Sequence, residues 1–384
     1  MLPRPFDIAA LVELLSDAPI VTILGARQVG KTTLARALAP HFPEVHHFDL
    51  EDPEDLARLA VPKQALSPLR GLIVIDEVQR QPELFPLLRV LADRIEPGAR
   101  FLLLGSASLD LVRGASESLA GRVAFMELGG FGLADVGVES SQTLWLRGGL
   151  PRAFLARDDA SSYRWRGDYI QSVLERDLPA LGLRLPADAM RRFWTMLAHY
   201  HGQAWNGSEL GRAMGVPDAK VRQHLDVLVG TFLVRRLEPW FTNDAKRVVK
   251  SPKVYVADTG LLHRLLQLRT HADLTAHPKV GASWEGFCIE AIARRLGARR
   301  DELWTWGLHS GAELDLFAKR GTQRLGFEVK LTDAPRVTPS MRSALAALKL
   351  DRLYVVHAGA HSFPMEDGIQ ALALSRLLVD LEPW

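Results

Sequence analysis

With 384 residues, 47% of them hydrophobic and 24% charged, the chain is long enough for two or three domains and has the composition of an ordinary globular protein. A single cysteine, Cys288, excludes an internal disulfide and suits a reducing cytoplasm, and the sequence has neither a signal-peptide layout over residues 1–8 nor an apolar run long enough to span a membrane. The net charge of +2 hides an asymmetry: residues 1–140 hold 13 Lys and Arg against 19 Asp and Glu, residues 141–260 hold 18 against 12, and residues 261–384 hold 16 against 14, so a polyanion partner is expected at the middle third.

Residues 19–24 read as an apolar strand and residues 33–39 as a helix. Between them stand Gly25, Ala26, Arg27, Gln28, Val29, Gly30, Lys31 and Thr32, the pattern GxxxxGK[ST] in the strand–loop–helix setting it requires. Glycines let the backbone curl so that successive N–H groups face phosphate oxygens. Lys31 would reach the β and γ phosphates of ATP, Thr32 would ligand Mg²⁺, and Thr33 closes the nucleotide-binding run.

Residues 71–77, Gly-Leu-Ile-Val-Ile-Asp-Glu, form a strand apolar enough to be buried on both faces. Its acidic end falls where open α/β sheets place their ligands. Asp76 is expected to hold Mg²⁺ and Glu77 to orient and deprotonate the attacking water. A third apolar strand, 101–104, ends in Gly105-Ser106, and Ser106 is a candidate sensor of the γ-phosphate. Arg122 is a candidate phosphate-binding arginine, acting within its own subunit or on a neighbour, with a surface ion pair as the structural alternative.

Residues 144–186 read as a small helical lid. Then comes a helix over 189–201, a second with a Ser208 N-cap that stops at Gly215, and a third from Pro217 to about Gly230. Two short helices joined by a Gly-containing turn form a helix-turn-helix arrangement. The last of them would present Lys220, Arg222, Gln223 and His224 to solvent for DNA. Strands over 231–239 and 248–256, with Lys246, Arg247 and Lys250 in the loop between them, complete a winged helix with a basic wing; the alternative is a lid or a protein-docking surface.

In the last third, a helix begins near Trp284-Glu285. Residues 312–317 and 325–330 form a hairpin around Arg320-Gly321. Glu328 and Lys330 are two apart and share a face. With Asp315 beside them, two carboxylates and an ammonium would suit Mg²⁺, which needs few protein ligands.

Together these motifs resemble the AAA+ class of ATPases and, more narrowly, a bacterial and archaeal family that joins an AAA-type ATPase to a C-terminal domain of restriction-endonuclease character. The matching segments are 25–33, 74–84, 104–106, 118–122, 148–151, 250–260 and 313–330. The resemblance implies a PD-(D/E)xK nuclease core in which Glu285 is the helix-borne acid, although Leu314 stands where that motif usually has proline. The expected fold class is α/β: a P-loop AAA-type ATPase domain with a parallel sheet at 1–140, a helical lid at 141–187, a winged helix at 188–265 and a nuclease-like domain at 266–384. The leading expectation is a cytoplasmic DNA-dependent ATPase, a homo-oligomeric motor such as a hexameric ring, acting on branched or damaged DNA. The alternatives are a nucleotide-dependent signalling switch and an ATP-gated, Mg²⁺-dependent nuclease.

Overall fold

A computed structural model describes residues 2–94, 98–105, 118–180, 186–241 and 249–384. The chain divides into two compact units, residues 1–130 with 230–232, and residues 131–229 with 233–384.

The first unit is built on five strands: β1 (Ile20–Leu24), β2 (Val45–Asp49), β3 (Leu72–Asp76), β4 (Arg100–Gly105) and β5 (Val123–Glu127). All pairings are parallel, in the order β2-β3-β4-β1-β5. The continuous apolar runs have a simple cause. Ile73 and Ile75 of β3, with Phe101 and Leu103 of β4, pack into a core with α3 (Leu84–Ala92). The alternate residues Leu72, Val74, Leu102 and Leu104 pack into a second core with α1 (Pro5–Asp17) and α2 (Lys31–Ala37). Every residue of β1 and β3 is buried because each face of the sheet has its own helical layer.

The second unit begins at Phe131, ten residues before the boundary expected from sequence, and apart from residues 230–232 it takes in all three of the segments 141–187, 188–265 and 266–384. Its helices include α4 (Ser141–Arg147), α5 (Asp159–Ser172), α6 (Ala187–His199), α7 (Gly207–Met214), α8 (Asp218–Gly230), α9 (Thr259–Leu265), α10 (Val280–Leu296) and α11 (Pro339–Leu348). Helix α7 is capped by the Asn206 side chain on the Glu209 N–H rather than by Ser208, and it ends at Gly215, whose φ of 71° needs glycine.

Nine strands form one sheet: β6 (Gln203–Ala204), β7 (Val234–Pro239), β8 (Lys253–Val256), β9 (Leu303–Gly307), β10 (Glu313–Arg320), β11 (Gln323–Lys330), β12 (Arg352–His357), β13 (Phe363–Glu366) and β14 (Ile369–Ala373). The order is β13-β14-β12-β11-β10-β9-β7-β8-β6. Strands β10 and β11 are an antiparallel hairpin, and β11 pairs with β12 in parallel. The joint between 188–265 and 266–384 is the parallel pairing of β7 with β9, Glu238 opposite Trp304 and Pro239 opposite Thr305. The two segments therefore share one sheet. Trp306, Leu314, Phe317, Leu353 and Val355 pack under α11 to form the core at that end.

Among the described residues, no helix is long and apolar enough to cross a membrane.

Candidate functional site

Strand β1 delivers the chain directly into the glycine-rich loop, and α2 begins at Lys31. Two glycines are demanded by geometry. A Cβ on Gly25 would lie 2.4 Å from the Leu128 carbonyl oxygen, and Gly30 has φ 105° at the entry to α2. The loop curls around Lys31, which is 6% exposed. Its ammonium donates to the carbonyls of Gly25 and Ala26 at 3.0 and 3.1 Å. Burial pushes the Lys31 pKa down to about 8, against the pull of the neighbouring Glu77 and Asp76 charges.

The Thr32 hydroxyl donates to Asp76 Oδ2 at 2.6 Å, across 44 residues of sequence. Asp76 Oδ1 accepts the Glu77 N–H at 2.9 Å. Burial raises the Asp76 pKa; the Thr32 hydroxyl opposes the shift, and Glu77 and Asp49 add to it. Asp49 lies directly opposite Asp76 in the β2–β3 register. Glu77 is half-buried and adopts the left-handed conformation, φ 54°, uncommon for a non-glycine residue. Its Oε2 accepts from the Gln79 side-chain amide. Asp49 lies outside every motif, and Gln79, although inside the matching segment 74–84, was not singled out as a site residue.

A hydroxyl and a carboxylate in contact, beside a buried ammonium and a curled backbone, are hard oxygen donors suited to Mg²⁺ with an anionic phosphate ligand. The residues present fit ATP and its metal.

Arg122 is a different matter. Its guanidinium grips Asp93 bidentately, Nε to Oδ1 at 2.5 Å and Nη2 to Oδ2 at 2.9 Å, while Nη1 donates to the Ala120 carbonyl. The surface ion pair is what the structure contains within this chain. Ser106 lies outside the described residues, as do Lys246 and Arg247 of the basic loop.

On α8, Lys220, Arg222 and Gln223 are exposed, and so is Lys250. Arg222 lies 3.6 Å from Asp218, one turn earlier on the same helix. His224 does not face solvent: it is 1% exposed and packs edge-on against Phe193. The helical period carries it to the apolar side with Val221, Leu225 and Leu228.

In the C-terminal part, Glu285 on α10, Asp315 on β10, and Glu328 and Lys330 on β11 do converge, as sequence led us to expect. Two residues that sequence did not single out join them. Lys253 on β8 lies 3.3 Å from Asp315 Oδ1 and 3.5 Å from Glu285 Oε1, and the Tyr255 hydroxyl donates to Glu285 Oε1 at 2.6 Å. Asp315 Oδ2 accepts the Val329 N–H at 2.9 Å, and Glu328 Oε1 pairs with Lys330 at 2.7 Å. Burial, reinforced by Asp315, pushes both Glu285 and Glu328 up to about 7, and the carboxylates hold Lys253 well above the usual lysine range despite its burial. The signal for Lys253 and Tyr255 was their i, i+2 spacing on an alternating strand, the same cue that paired Glu328 with Lys330.

The nuclease resemblance implies Mg²⁺ at this cluster, and the residues present do not fit it. Lys253 already sits between Glu285 and Asp315, within contact distance of an oxygen of each, where the ion would have to lie.

A parallel sheet carrying this loop on one strand and an acid in contact with its threonine on another defines a P-loop nucleoside-triphosphatase. Residues 17–136 match the family model described as an AAA domain; residues 138–272 and 280–377 match two models, each described as a domain of unknown function (DUF8612 and DUF4143). The Uncharacterized protein Rv2008c of Mycobacterium tuberculosis is 51% identical over 370 residues, covering 96% of this chain and 83% of that protein, and the same figures hold for the Uncharacterized protein Mb2031c of Mycobacterium bovis. This chain belongs to their family, one of AAA-type P-loop ATPases. The Walker-type ATPase PABY2304 of Pyrococcus abyssi shares the fold, with a TM-score of 0.50 at 16% identity over 69% of this chain and 96% of that one.

Proposed function

We propose that the chain is a DNA-dependent ATPase, in which hydrolysis at the glycine-rich loop drives a winged helix formed by α6, α7, α8, β7 and β8. The observation that carries the hydrolytic half is the Thr32–Asp76 contact beside buried Lys31. Thr32 and Asp76 would hold Mg²⁺, which when bound offsets the charge of the phosphates. Lys31 exchanges the carbonyls of Gly25 and Ala26 for phosphate oxygens and regains its full charge there. Glu77 takes the proton from the attacking water once Gln79 releases its carboxylate.

The DNA half is supported by the exposed Lys220, Arg222 and Gln223 of α8, by exposed Lys250, and by the excess of positive charge in residues 141–260. Side chains of these types contact phosphates and base edges. Reversing Lys220 and Arg222 to Glu should weaken binding of a labelled duplex and flatten the dependence of log affinity on log salt by about 1–2. Unaltered affinity and slope would place the DNA surface elsewhere.

A further inference from the structure

The C-terminal cluster has the skeleton of a metal-dependent nuclease site but a different cation. Lys253 comes from β8, far along the chain from the three acids, and its side chain is only 13% exposed. It touches a helix-borne acid and a strand-borne acid at once, through Glu285 Oε1 and Asp315 Oδ1, where a bridging divalent ion would draw its oxygens. Tyr255, also on β8, occupies Glu285 Oε1 from a second direction. The remaining oxygen of Asp315 is held by the Val329 N–H. Glu328 Oε2 is buried and has no hydrogen-bond partner among the described residues, so one acceptor in the cluster stays unsatisfied. A cavity of about 190 Å³ reaches Lys253, Trp306 and Glu313 but is lined by none of Glu285, Asp315 and Glu328, so Lys253 stands between it and the acids.

We infer that the Lys253 ammonium takes the place of the divalent cation, so that the cluster is a closed, metal-independent lock tying β8 to α10 and β10, and not a cleaving site. The lysine pairs with the same two carboxylates a metal would need. A divalent ion entering the cluster would either face an ammonium at contact distance or expel Lys253 into surroundings that bury it. Metal affinity therefore has to overcome the loss of a well-paired lysine. Removing the ammonium leaves Glu285 and Asp315 without their shared cation, beside a Glu328 that keeps Lys330, which is the condition for recruiting a metal.

The test is Mn²⁺ titration of the full chain carrying Asp76→Asn, without nucleotide, read by electron paramagnetic resonance. With Lys253 present, no saturable Mn²⁺ site sensitive to Glu328→Gln is expected. Lys253→Met should gain one such site, with affinity at least about tenfold higher, and lose it again on adding Glu328→Gln. If Lys253→Met folds only in Mn²⁺, as read by near-ultraviolet circular dichroism, that is the same exchange and supports the inference. A Glu328-sensitive site in the chain that retains Lys253 would overturn it. So would a Lys253→Met chain that folds but gains no site, or that stays unfolded with Mn²⁺.

Discussion

At the residue scale, the nucleotide site was legible because its parts are local. One short segment specifies a strand, a turn and a helix start, and the positive φ of Gly30 follows from the loop itself, whereas Gly25 is required by the approach of the Leu128 carbonyl. The fate of Arg122 was not legible, because its choice between phosphate and Asp93 depends on where a residue 29 positions away is carried by the fold. Lys253 escaped for the same reason: its partners Glu285 and Asp315 belong to another stretch of chain. The depressed pKa of Lys31, about 8, has a consequence for binding. Above that pH the nucleotide-free protein holds a neutral amine, while bound phosphate favours the ammonium, so binding takes up a proton. ATP affinity should fall by up to about tenfold per pH unit from pH 8 towards the ordinary lysine value, measurable by calorimetry in two buffers of different ionisation enthalpy. An affinity flat from pH 7 to 9.5 would contradict this. Glu77→Gln should still bind ATP while turnover falls by about 10²–10⁴-fold; a normal rate would remove Glu77 from the chemistry.

At the element scale, most strands and helices follow from pattern, since each run of alternating or continuous apolar residues meets a helical layer or a neighbouring strand in the fold. What pattern did not give was how elements group. Helix α4 belongs with the second unit because α4 and α9 pack at backbone contact. The Asp258 carboxylate caps α9 through the Leu261 N–H and also accepts the N–H groups of Gly149 and Leu150. Gly260 leaves room for the Arg147 carbonyl, which an added Cβ would meet at 1.9 Å. Segments 148–151 and 250–260, which carried part of the family resemblance, thus include this joint. Arg147 is engaged there too, with Asp159 and the carbonyls of Phe154 and Ala156. Gly260→Ala should cost the second unit about 1–3 kcal/mol by overpacking, seen as a lower Tm; an unchanged Tm would mean that the helices separate at no cost. Likewise, the β7–β9 pairing fuses two segments that composition and motif reading would cut apart, because strand pairing between distant residues leaves no local trace.

At the scale of the whole molecule, an AAA-type ATPase unit is followed by a unit that holds helices α7 and α8, the nine-stranded sheet and the acidic cluster around Lys253. The basic balance of residues 141–260, against the acidic balance of residues 1–140, is why we propose the polyanion partner at the second unit. The central claim is that the two are coupled. The measurement that addresses it most directly is steady-state ATP turnover at low salt, with no DNA and with duplex, single strand, fork and four-way junction in turn. The account predicts a rise in turnover on adding DNA that fades as salt is raised and is absent from the Lys220→Glu, Arg222→Glu variant. Turnover indifferent to every DNA, with ATP still bound at Lys31, would contradict it and leave a nucleotide-dependent switch in its place.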